Sequence, residues 1–167
     1  MRSLIFLACT FAVAAVLVAT AGASGTVNGT LSVAEGRGLV GVDLGGSVIG
    51  RLGNGTMRVI DLTPRDRFGE IVRGRDLVEE TVGPRTVLYR GQAIRFRMLG
   101  GAYRVILRGR GIDLAAVGRG LVWLDGDPRA LDESTGLYSV TGVDCGIEPL
   151  LCTPLPDEHA RFTIGSP

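Results

Sequence analysis

Lysine is missing from this 167-residue chain, and all eighteen of its basic residues are arginine. With Gly, Ala and Val abundant, that reads as a compositional bias of the genome rather than a chosen chemistry. Each arginine nonetheless carries a permanent charge on a planar five-donor fork. Acidic residues number seventeen, so the formal charge is +1 and no global field advertises nucleic acid or a membrane surface. Aromatics make up only 5% of the chain, which leaves a core to be built from Val, Leu and Ile and removes the interleaved rings that base stacking needs. Histidine occurs once and cysteine three times, too few soft ligands for a zinc site. No Gly-x-Ser-x-Gly elbow is present. These scarcities leave no expected cofactor, metal or nucleic acid.

What is present begins with a targeting segment. Met1-Arg2-Ser3 is basic, Leu4 to Val18 is apolar, and Ala21-Gly22-Ala23 is a small-x-small cleavage site. Cys9 lies inside the apolar run, too near Arg2 for a lipoprotein box, and the run is short of the roughly 20 residues of a spanning helix. Residues 1–23 therefore read as a signal peptide. Residues 24–167 are expected as one exported domain with no membrane span: periplasmic, wall-associated or secreted.

Cleavage at that point would leave Cys145 and Cys152, and an even pair in an exported chain reads as a disulfide. Closing so short a loop is worth about 2–3 kcal/mol in the chain-entropy picture.

A glycine-punctuated block occurs twice. Residues 31–62 reappear, diverged, as residues 96–127 at a constant offset of 65. Leu31 aligns with Phe96, Val33 with Met98, Val40 with Val105, Val42 with Leu107, Ile49 with Leu114, Leu52 with Val117, Met57 with Val122 and Val59 with Leu124. Apolar residues step by two and glycines mark the breaks, the pattern of strands joined by tight turns. The expected fold is all-β: a single domain, sandwich or barrel, built from two copies of this unit. Turns are expected at Glu35-Gly36, at Gly53-Asn54-Gly55 and at Gly100-Gly101. Residues 65–84, dense in interleaved charge, read as exposed strand and loop closed by Gly83-Pro84. Short strands are expected at 137–140 and 161–164, with irregular chain between. Asn28-Gly29-Thr30 and Asn54-Gly55-Thr56 match a glycosylation acceptor, but Asn-Gly is equally a preferred turn.

The second copy has the cleaner two-sided pattern. Ile94, Phe96, Met98, Tyr103, Val105 and Leu107 share one face, while Arg95, Arg97, Arg104 and Arg108 share the other with Ile106. A one-residue slip would bury four guanidinium groups. These arginines form the candidate binding surface for an anionic envelope polymer or protein. Charge is also segregated along the chain. Residues 85–119 hold eight arginines and one acid, whereas 120–167 hold eight acids and two arginines. The acidic third could instead fold back and neutralise the arginine face.

Three further constellations are weaker. Cys145 with His159 and Asp144 or Asp157 would make a thiol hydrolase only if Cys145 were free. Asp125, Asp127, Asp132 and Glu133 lack the ligand alternation of a calcium loop. The Gly-x-Gly pairs at 109–111 and 118–120 lack a following helix. The functional expectation is an exported, non-catalytic binding or structural module. The alternative is a secreted hydrolase that uses the acidic residues of 125–133 or His159.

Overall fold

The computed structural model describes residues 27–65, 69–127, 129 and 134–166. The expected signal peptide lies outside them. The described chain is all-β: six strands in one antiparallel sheet, with a single turn of 3-10 helix and no α-helix among the described residues. The strands are β1 (Gly29–Asp61), β2 (Ile71–Gly83), β3 (Thr86–Gly126), β4 (Leu137–Ser139), β5 (Thr153–Pro154) and β6 (Ala160–Ile164). The 3-10 turn spans Pro149–Leu151. Sheet order is β2-β3-β1-β4-β5, with β6 on the far part of β3. The strands expected within 65–84, 137–140 and 161–164 are found as β2, β4 and β6, residues 66–68 lying outside the described ones.

The two blocks fall in β1 and β3, and they pair with each other. Neither folds back on itself. Val42 pairs with both Val105 and Val122, and Met57 with both Tyr89 and Leu107. Each long strand is thus flanked on both sides by successive stretches of the other, as in a two-stranded ribbon wound upon itself. The three expected hairpins are absent. Gly100-Gly101 lies between the pairs Leu99 with Ser47 and Ala102 with Gly45, so it is a bulge opposite Gly46. Phe96 sits opposite Gly50 rather than Val105, and Val40 opposite Leu107 and Leu124 rather than Leu31. Glu35 is likewise a bulge residue, at φ 53°, and β1 continues unbroken through Gly53-Asn54-Gly55. Glycine followed by period-two sequence marks a corner as well as it marks a turn, and local sequence does not say which.

The corners explain the glycines. Where Gly55 and Gly109 lie opposite each other, both have φ near +150°. A Cβ on Gly55 would stand 2.1 Å from the Arg108 carbonyl oxygen, and one on Gly109 would stand 2.1 Å from that of Asn54. No L side chain is accommodated at such a crossing, whichever strand carries it.

The sidedness expected from period two is observed. Ile94, Phe96, Met98, Tyr103, Val105 and Leu107 are all buried, as are Leu31, Val33, Val40, Val42, Met57 and Val59 of β1. Burial at the aligned positions of the two blocks agrees at both ends and disagrees in the middle. Leu114 is buried where Ile49 is 49% exposed, and Leu52 is buried where Val117 is 48% exposed. The C-terminal segment packs beside this core. β6 pairs with Gly120–Leu124, β4 pairs with Ser32–Ala34, and the rings of Tyr138 and Phe162 stack at 6.1 Å.

Candidate functional site

The four arginines singled out by their spacing all point away from the core: Arg95, Arg97 and Arg108 are exposed and Arg104 is half-buried. They fall in two strips along β3, one on each side of the Gly100-Gly101 bulge. Arg95 and Arg97 lie between Arg51 and Ile49 of β1 on one side and Arg73 and Ile71 of β2 on the other. Arg104 and Arg108 lie between Asp43 and Leu39 on one side and Ile60 and Thr56 on the other. The two strips thus have different cross-strand neighbours, acidic or polar beside Arg104 and Arg108 and basic beside Arg95.

The Arg104 strip is internally compensated. Arg104 donates from Nε to Asp43 Oδ2 at 2.8 Å and also from Nη2 to the same oxygen. Its guanidinium lies 6.0 Å from the centre of the Trp123 ring, and Arg161 approaches that ring at 5.9 Å. The indole in turn covers Gly41, whose missing Cβ would come within 2.9 Å of the ring. This is a chain of charge-assisted and cation–π contacts with its own counter-ion. The partner of Arg104 is therefore Asp43 of the first block, and not the acidic C-terminal third. Among the described residues, none of the four arginines pairs with an acid of 120–167.

The Arg95 strip is not compensated. The register sets Asp113, Arg51, Arg95 and Arg73 side by side across four adjacent stretches of strand. Asp113 is consumed locally: Oδ2 accepts from Arg51 Nε at 2.6 Å, and Oδ1 accepts from the backbone N–H of Glu35 at 2.9 Å. The carboxylate thus closes the Glu35 bulge and holds Arg51, whose pKa it raises above the ordinary arginine value, chiefly through this hydrogen bond. Glu35 adds a longer contact to Arg51 at 3.6 Å. Arg95, Arg73 and Arg97 have no ion pair among the described residues. Like charges directly opposite one another on a sheet are destabilising. Arg51 and Arg73 escaped the sequence reading because they sit outside the second block, and only the register brings them beside Arg95.

Next to this row is a groove of about 970 Å³ on the outer surface of the sheet. Strand residues Ser32, Ile49, Gly50, Arg51, Arg95, Asp113 and Ala115 line it together with Leu137, Cys145, Gly146 and Pro149 of the C-terminal segment. The Cys145–Cys152 disulfide forms as expected, with Cα atoms 5.8 Å apart. Cys145 is buried and anchored to β1, its N–H donating to Ser32 Oγ at 3.0 Å. That linkage removes the thiol on which a cysteine hydrolase would depend.

The remaining candidates are sparse. His159 Nδ1 lies 3.9 Å from Asp125 Oδ2, both side chains well exposed, and neither lines the grooves of 970, 600 and 400 Å³. Asp127 Oδ1 accepts the Arg129 N–H at 3.0 Å, a turn contact. Asp132 and Glu133 lie outside the described residues. Among the described residues, no three His, Cys, Asp or Glu side chains are placed to hold a metal ion, and no helix is long and apolar enough to cross a membrane. Comparison with family models, with curated proteins and with solved structures gives no match to this chain.

Proposed function

We propose that this chain is an exported, non-catalytic binding module of the cell envelope or medium. It engages an anionic partner through the outward row that contains Arg95 and Arg97. The single observation that carries this reading is the alignment of Arg51, Arg95 and Arg73 with only one carboxylate, Asp113, in line. Arg104 pairs with Asp43 and belongs to the scaffold, and Arg108 is a peripheral contributor at most. Two copies of one strand unit, closed as a sandwich or barrel, supply the rigid platform. Residues 1–23 direct its export and are then removed. The test is retention of chain 24–167 on an immobilised polyphosphate resin, eluted with a salt gradient. Retention that falls with salt and is lost in R95E/R97E supports the reading, and retention unaffected by that double variant overturns it.

The hydrolase alternative has one supporting observation, the approach of His159 to Asp125. Hydrolysis of a generic ester by the wild-type chain that disappears in H159A would favour it over the binding module.

A further inference from the structure

Several properties of the groove beside Arg95 go beyond general anion binding. Its volume, about 970 Å³, is within the roughly 300–1,000 Å³ range of small-molecule sites. Its lining includes two apolar side chains on the solvent side of the sheet, Ile49 and Ala115, where polar residues are the rule, and Gly50 adds no side chain. The wall is fixed before any ligand arrives. The disulfide closes it, Cys145 N–H is tied to Ser32, and Asp144 Oδ1 is occupied by the Gly146 N–H at 2.9 Å. The other carboxylates at the rim are also engaged, Asp113 by Arg51 and the Glu35 N–H, and Glu35 by Arg51. One cationic group of the lining, Arg95, is left with no carboxylate among the described residues.

We infer that this groove binds a single-chain amphiphile with an anionic head, the head on Arg95 and the chain against Ile49 and Ala115. The inference rests on the anion-binding reading and narrows its ligand class. A polyanion would use the arginine row but leave Ile49 and Ala115 exposed to water. A guanidinium without a carboxylate of its own, beside the apolar Ile49 and Ala115 and a preorganised wall, is the complement of an alkyl phosphate, alkyl sulfate or fatty carboxylate.

Calorimetric titration of chain 24–167 with dodecyl phosphate below its micelle-forming concentration tests this. Saturable one-to-one binding is expected, with dodecyl maltoside (same tail, neutral head) weaker by about tenfold or more. R95Q should weaken dodecyl phosphate by a similar factor. A115W, which fills the groove from an exposed position, should abolish dodecyl phosphate binding while leaving retention on polyphosphate resin unchanged. I49Q provides the same check without added bulk if A115W proves unstable. The inference is overturned if dodecyl maltoside binds equally well, if A115W and I49Q bind like wild type, or if no saturable binding is seen. Absence of dodecyl phosphate binding with polyphosphate retention intact removes this inference alone. Loss of both removes the binding-module reading as well.

Discussion

Arg95 and Arg104 come from the same period-two run, nine positions apart, and both face away from the core, yet they are in opposite electrostatic situations. Arg104 has Asp43 across the strand, Trp123 beneath it and Arg161 completing the stack. Arg95 has an arginine on each side and no carboxylate of its own. The difference lies in what the register of β1 and β2 brings opposite. A charge pattern along one strand therefore does not define a surface; the pairing does. One strip carries its own counter-ion and the other sets three arginines in line.

The largest effect should come from disturbing the corners that keep the two strips in one structure. Gly109→Val inserts a side chain at φ +151° into the Asn54 carbonyl and should cost at least about 3 kcal/mol. Chemical unfolding followed through Trp123 and, separately, through a probe attached near Arg95 should show both strips melting together. Separate transitions would show that the strips belong to independent units.

Alkaline pH tests the core shared by both strips. Tyr89 is buried, and burial, with smaller contributions from Glu70 and Glu79, pushes its hydroxyl up to about 12. The folded state keeps this proton where the unfolded chain releases it near pH 10. Stability is thus complete below about pH 10 and declines toward pH 12, by roughly 2–3 kcal/mol from this residue. Tyr89→Phe should flatten that part of the stability–pH curve, measured by urea unfolding between pH 9 and 12.

Arg104→Ala should lower stability by about 1–2 kcal/mol through loss of the Asp43 and Trp123 contacts, with polyphosphate retention nearly unchanged. R95E/R97E should do the reverse, shifting stability by less than about 0.5 kcal/mol while retention is lost. Asp113→Asn sharpens the contrast further. It should cost about 1 kcal/mol at the Glu35 bulge and strengthen retention, because Arg51 then joins the uncompensated row. Equal behaviour of the Arg95 and Arg104 variants in both assays would dissolve the distinction.

Much of this fold was legible in the letters. The alternation of Phe96, Met98, Val105 and Leu107 with Arg95, Arg97, Arg104 and Arg108 gives the correct inside and outside, because a pleat has period two whatever its partner. The Cys145–Cys152 link follows from counting. Pairing is what local sequence does not carry. Gly100-Gly101 and Gly53-Asn54-Gly55 satisfy the chemistry of a hairpin turn and that of a corner equally well. The choice depends on β1 finding β3 rather than itself. The same gap hid Arg51 and Arg73, which become site residues only through neighbours far away in the chain. The phase disagreement of Ile49 with Leu114 and of Leu52 with Val117 has a similar origin. A gapless alignment cannot register bulges, and bulges shift the burial phase by one.

The mutual pairing of β1 and β3 also bears on how the chain reaches its native state. Every ladder contact of β1 joins residues dozens of positions apart, so no stretch of β1 is stabilised until β3 has been made and brought alongside. Loop-closure entropy must be met before any such contact helps, which places folding on the slow, millisecond-to-second side for domains of this size.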